Sequence, residues 1–189
     1  MQTDPYASGV LVPEHHDRLV AGLASFARAA GIQPRWVWTP LAATCGEAEI
    51  EYLKRFRHHQ AAGELEGLCY IASGPSFSSV NDRMYAIAGF LTRNFLRASV
   101  MTVSAVLEAV SAGSTPDHDC LLIPNFFLRK SEGGGISSWH VAALYDLLMT
   151  RAASGGQTVI FVSSLTGLEN EYGSAVANLV QSSFLKIAI

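Results

Sequence analysis

The sequence is short of charge, of cysteine and of long apolar runs. Charged residues make up 15% of its 189 residues and the formal net charge is −3, so no global excess of positive charge draws it to nucleic acid or to an anionic membrane. Only a local basic patch could do so. Its three cysteines, Cys45, Cys69 and Cys120, have neither CxxC nor CxxH spacing, which argues against a disulfide framework and suits a reducing compartment. No apolar run approaches the roughly 18 residues of a membrane span. The start, "MQTDPYASGVLVPEHHDR", has no basic residues followed by a long apolar core, so no signal peptide is expected. The cytoplasm is the expected location, with no membrane partner.

What is present is apolar residues in plenty. They make up 49% of the chain, enough for one domain with a large buried core. Residues 1–31 read as a loose arm followed by a helix over Glu14–Ala30, with Leu19, Leu23 and Phe26 at helical spacing and Gly31 beyond its end. The stretch "IQPRWVWTPL" reads as extended between prolines, which would place Trp36 and Trp38 on one face. "EAEIEYLKRFRHHQAA" reads as one charged amphipathic helix with Ile50, Leu53 and Phe56 on one side. From residue 67 apolar strand-like runs alternate with helical patterns. Strands are expected at 67–73, 98–105, 120–127, 157–164 and 184–189, and helices at 79–95, 137–153 and 171–182. "CLLIPNFF" is apolar throughout, as a parallel strand covered on both faces should be. The alternation implies right-handed crossovers and a parallel sheet.

The strand-to-helix junction "GLCYIASGPSFSSVNDR" lies where a phosphate-binding loop would sit. A working loop, G-x-x-x-x-G-K-[ST], cradles phosphates with backbone N–H groups, reaches them with Lys and binds Mg²⁺ through a hydroxyl. Starting that register on Gly74 and Pro75 puts Ser79 at the second glycine, Val80 at the lysine and Asn81 at the hydroxyl. Every side chain with a chemical role is missing. By its residues alone the segment is an ordinary turn with Ser79 as helix N-cap, although a helix N-terminus can hold an anion through its dipole and free N–H groups.

Several ordered segments over residues 32–189 carry a resemblance. "IQPRW" precedes a charged helix, "LCYIASGP" leads to "AIAGFL", "DCLLIPNFF" is followed by "LYDLLMTRAASGGQTVIFVSSLT", and "LENEYGSAVANLVQSSF" closes the chain. In order and spacing they resemble the core of bacterial replicative helicase loaders and transposition ATPases, the DnaC/IstB-like branch of the AAA+ superfamily. The resemblance implies a three-layer α-β-α, P-loop-NTPase-like domain with a five-stranded parallel sheet and no C-terminal lid, spanning residues 32–189. It also places the family's functional positions. The Walker B acids fall on Pro124 and Asn125, the sensor on Ser163 or Ser164, and the closing-helix arginine near Asn178.

None of these residues can do the family's chemistry. Proline can neither coordinate Mg²⁺ nor act as a base, and no arginine or lysine lies between Arg151 and Lys186 to stabilise transition-state charge. The expectation is a protein that does not turn over ATP and holds neither ATP nor Mg²⁺. It would act by contact with a replicative helicase, a loader ATPase or itself, in replication or in plasmid, phage or transposon DNA transactions. A divergent nucleotide or single-stranded DNA binder is the alternative, using the helix start at Ser79 with Arg129 and Lys130, which follow the third strand where open α/β sheets bind ligands.

Other features have competing readings. "GPSFS" lacks the final glycine of a G-x-S-x-G nucleophile elbow, so a serine hydrolase would need Ser76 with His140. The pairs His15–His16 and His58–His59 sit on adjacent helix positions, which do not converge on a metal, and read as solvated faces. Lys54, Arg55 and Arg57 form the densest basic patch, either a phosphate contact or a charged helix face. Trp36, Trp38 and Trp139 are candidates for a partner surface or for core.

Overall fold

The computed structural model describes residues 13–73, 78–127 and 137–189, without the side chains of 78 and 79. The elements run α1 (Pro13–Ala29), α2 (Arg35–Trp38), a 3-10 turn (Leu41–Ala43), α3 (Glu47–Lys54), α4 (Phe56–Ala62), β1 (Gly67–Ile71), α5 (Ser78–Arg93), β2 (Ala98–Val100), α6 (Val103–Ser111), β3 (Cys120–Ile123), α7 (Ser138–Ala153), β4 (Gln157–Val162), α8 (Leu165–Ser183) and β5 (Phe184–Ala188). The five strands form one sheet in the order β2-β3-β4-β1-β5, every pairing parallel.

The layering follows from strand alternation and crossover handedness. Successive strand side chains point to opposite faces. Leu68, Tyr70, Leu122, Val159 and Phe161 accordingly pack with Tyr52, Phe56, Met84, Ile87 and Leu91 from α3, α4 and α5. Cys69, Leu121, Ile123, Ile160 and Val162 pack on the other side with Val106, Leu144, Leu148, Leu168 and Val180 from α6, α7 and α8. The chain leaves β1 in one direction along the sheet, towards β2, and returns through β3 and β4 to β5 in the other. With right-handed crossovers, reversing direction changes the face. Helix α5 therefore lies alone among the crossover helices on its face. The result is a three-layer α-β-α domain.

Helix α1 extends this core along the β2 edge. The Ala30 carbonyl accepts from Val100 N–H at 3.0 Å, and Phe95 receives the rings of His15 at 5.5 Å and Phe26 at 6.2 Å and the Arg18 guanidinium at 4.9 Å. All three cysteines are free and buried.

Several local expectations are corrected. "RWVW" forms a helical turn, not an extended segment, so Trp36 is buried against Tyr85 at 5.5 Å while Trp38 meets His16 at 5.7 Å. The two indoles do not share a face. Gly89 permits that turn, since a Cβ there would stand 2.0 Å from the Trp36 carbonyl oxygen. The charged helix breaks at Arg55 (φ −96°, ψ 10°) into α3 and α4. The second strand stops at Val100 because Thr102 caps α6, its hydroxyl accepting from Ala105 N–H at 3.2 Å. The third ends at Ile123 before Pro124, the fourth at Val162, and the fifth at Ala188. The last helix begins at Leu165, not 171, and is bent at Gly173 (φ 80°).

Candidate functional site

Helices following β1 and β4 depart to opposite faces of the sheet, α5 to one and α8 to the other. That divergence opens a crevice at the carboxyl ends of these neighbouring strands, where open α/β sheets bind ligands. The four segments singled out in the sequence converge on this edge. One is the junction after β1, where Ala72 N–H donates to the Val162 carbonyl at 3.1 Å. The start of α5 follows, and beyond it the residues after β3 and after β4.

The side chains there are apolar or neutral. Val80, in the first turn of α5, is 3% exposed and belongs to the core on that face. Asn81 is exposed at the rim. Pro124 bends the chain away from β3, and Phe126 N–H returns to β4 at the Phe161 carbonyl, 3.0 Å away. Asn125 is exposed. Ser163 is exposed, and the Ser164 hydroxyl caps α8 by accepting from Gly167 N–H at 2.9 Å. Asn178 is exposed on α8. Gly74, Pro75, Ser76, Arg129 and Lys130 lie outside the described residues, as does the side chain of Ser79.

Two hollows flank this edge. The larger, about 1050 Å³, lies between the start of α5, the ends of β2 and β3, and α6, and includes Asn81, Tyr85, Pro124, Asn125 and His140. The smaller, about 170 Å³, lies over β4 and includes Asn125, Ser163 and Glu171. Among the described residues lining either, none is lysine or arginine, while Glu108 and Glu171 are carboxylates. From the described residues of these walls a triphosphate would gain no compensating cation.

Arg83, one turn into α5, is already committed. Arg83 donates to the Glu49 carboxylate, which is buried, accepts from Gly46 N–H at 2.8 Å and is reached by the Tyr70 hydroxyl at 3.3 Å. Burial, and then the Glu49 carboxylate, push the Tyr70 phenol well above its ordinary value. Sequence reasoning missed this cluster, because Glu49 reads as part of a charged surface helix. It also missed Arg151, which is 3% exposed at the opposite, amino-terminal edge of the sheet. Its Nε donates to Thr158 Oγ1 at 3.0 Å, and its other nitrogens to the carbonyls of Pro116 at 2.7 Å, His118 at 3.0 Å and Gln157 at 2.7 Å.

The remaining candidates disperse. Lys54, Arg55 and Arg57 are exposed; Lys54 pairs with Glu51 at 3.4 Å and Arg55 with Glu64 at 3.7 Å, a solvated face near the start of β1. Each histidine pair divides, with His15 and His58 exposed but His16 and His59 buried, which corrects the reading of both pairs as solvated. Among the described residues no group of three or more His, Cys, Asp or Glu could hold a metal. No helix among them is long and apolar enough to cross a membrane. Trp139 is 50% exposed at the start of α7.

A five-stranded parallel sheet between two helical layers, with its crevice beside β1, is a three-layer α-β-α fold that solved structures share. Solved structures with this fold come from replication proteins. The chain is similar to the DnaC helicase loader, with a TM-score of 0.54 and 13% identity over 82% of this chain and 98% of that one. It is also similar to the replication initiator DnaA bound to AMPPCP and single-stranded DNA, with a TM-score of 0.55 and 12% identity over 83% of this chain and 50% of that one. AMPPCP-bound DnaA from Aquifex aeolicus gives 0.52 and 11% over 76% and 47%. The chain thus spans about half the length of the DnaA structures. At these identities the likeness is one of fold. No protein-family model matches the sequence, and no curated protein sequence does.

Proposed function

We propose that the chain is a non-catalytic, helicase-loader-like protein that works by protein–protein contact in DNA replication or in mobile-element DNA transactions. The observation that carries this reading is Val80. At the position where a P-loop carries its phosphate-binding lysine, this chain places a valine that is 3% exposed and packed in the core. Pro124 and Asn125 at the proposed Walker B position, and the lack of lysine and arginine among the described residues lining the two hollows, support the same reading. The mechanism is steric: the ATPase-like scaffold presents a docking surface to a replicative helicase, a loader ATPase or a second copy, and no hydrolysis resets it.

A second reading draws on the 1050 Å³ hollow beside the start of α5. There the helix N-terminus would hold a nucleotide phosphate or single-stranded DNA weakly, assisted by Arg129 or Lys130. Two measurements on the purified chain separate the readings. Thermal unfolding with and without millimolar MgATP is expected to give the same midpoint, and size-exclusion chromatography is expected to co-elute the chain with the replicative helicase or loader ATPase of its source organism. Saturable stabilisation by MgATP favours the second reading, and ATP hydrolysis refutes the first.

A further inference from the structure

Helix α7 is apolar on both of its sides. The inner side, with Leu144, Leu147 and Leu148, is buried in the core. The outer side carries Trp139, Ala142, Asp146, Met149 and Ala153, spaced so as to share one helix face, and all five are exposed. Trp139 stands 50% and Met149 43% exposed. The neighbouring helices of the same layer differ. Helix α6 turns Ser104, Glu108 and Ser111 to solvent, and α8 turns Glu169, Asn170, Asn178 and Gln181. A helix that is apolar all round is one that other elements cover, yet among the described residues the outer side of α7 is left open.

Charge selects what covers it. Asp146 is the only charged residue of the outer side and lies between Trp139 and Met149 along the helix. Three and four positions away stand Ala142, Ala143, Met149 and Thr150, so no cation of α7 reaches it. Among the described residues none forms an ion pair with its carboxylate. A carboxylate taken out of water must be paired, so whatever covers this face brings a lysine or an arginine. A second copy of the chain fits poorly: a two-fold, antiparallel packing of α7 on itself would set Trp139 against Met149 but bring the two Asp146 carboxylates together at the axis. Nucleic acid and an anionic membrane both call for basic groups, which this face lacks. Ala142 and Ala153 keep the surface low beside the larger side chains, so the ridge of a facing helix can seat there.

We propose that the outer face of α7 docks an amphipathic helix of a partner protein, packed along the roughly 21 Å from Trp139 to Ala153, whose apolar stripe carries one lysine or arginine that donates to Asp146. Trp139 is the anchor and Asp146 sets which helices are accepted. This names the chemistry of the partner in the proposed function and rests on that reading.

Selection of a displayed library of helical peptides, about 18 residues long and randomised along one face, against the whole chain tests this. Enriched peptides are expected to carry an apolar stripe interrupted by one lysine or arginine, and to move tryptophan emission to the blue as Trp139 leaves water. Trp139→Ala is expected to weaken the best peptide at least about tenfold, the range of a central aromatic anchor. Asp146→Lys is expected to weaken it as far, and glutamate in place of the peptide's basic residue to restore binding. Both side chains are exposed, so neither variant should change the melting temperature. No enriched binder, or binders that ignore both substitutions, overturns the proposal. So does a concentration-dependent dimer of the chain alone that Trp139→Ala dissolves, which gives the face to a second copy. Co-elution with the helicase or loader ATPase that survives both substitutions together overturns this proposal and leaves the proposed function standing. Peptide binding that both substitutions weaken, without any such co-elution, supports the docking face and counts against the proposed function.

Discussion

Replacing Val80 by lysine supplies the residue that a phosphate-binding loop would carry there in the register proposed above, and the packing around position 80 sets what should follow. Val80 is 3% exposed and faces the core between α5 and the sheet, alongside Met84 and Ile87. Removing a buried valine forfeits about 1.5 kcal/mol. The incoming ammonium must either lose its water or bend its stem towards the crevice, and snorkelling of that kind limits the penalty without removing it. A net loss of about 2–4 kcal/mol follows. For a domain of this size each kcal/mol moves the melting temperature by about 2–4 °C, so Val80→Lys should melt roughly 5–15 °C below the unaltered chain. A site that bound MgATP would gain about 2.7 kcal/mol at a hundredfold excess over Kd, enough to reverse most of that drop. Differential scanning fluorimetry of both proteins, with and without about 5 mM MgATP, reads both effects. We expect a lowered midpoint that MgATP leaves unchanged. A midpoint equal to that of the unaltered chain, or a rise of several degrees specific to MgATP, would refute the reasoning that position 80 belongs to the core.

Two further predictions concern stability. Arg151→Met should destabilise by about 3–5 kcal/mol, because three carbonyls and the Thr158 hydroxyl lose their donor inside the fold, whereas Arg151→Lys should recover only part of that, lacking the planar fork. Urea midpoints at constant m-value decide this. The histidines make stability pH-dependent. Burial, followed by nearby positive charges, lowers the pKa of His59 and His118 below their ordinary value of 6.5. Around and below that value the unfolded chain binds protons that the folded one refuses, so stability should fall as pH drops from 7 towards the folded-state values. His59→Phe, which keeps the ring on Tyr52, should flatten part of that slope in urea titrations taken at successive pH values.

The parts of the fold visible in advance were those with long, unambiguous patterns. All five strands were placed within the apolar runs, because buried parallel strands are apolar throughout, and α1 matched its spacing to within a residue. The misplaced boundaries share a cause, a tertiary contact or cap overriding local character. "VMTVSA" is rich in β-branched residues, yet Thr102 turns it into a helix start with no acidic partner three residues on to betray a capping box. "RWVW" lies between prolines, yet coils into a turn because Gly89, more than 50 residues away, leaves room for its backbone. The candidate site was legible as a place, the carboxyl ends of β1, β3 and β4, since topology sets where such crevices form. The Glu49–Arg83–Tyr70 cluster and the Arg151 anchor were invisible, because each joins residues far apart in sequence that individually look like surface charges.

The burial of the three cysteines carries a practical consequence. Desolvation holds the Cys45 thiol up at about 11 and those of Cys69 and Cys120 up at about 12, so at neutral pH almost no thiolate exists to react. An added surface cysteine would then be the sole fast-reacting thiol among the described residues. Photo-crosslinkers or spin labels attached singly at positions such as Trp139, Met149 or Val20 would test whether any of the proposed partners covers a face of the domain, and which one, with the native cysteines left in place.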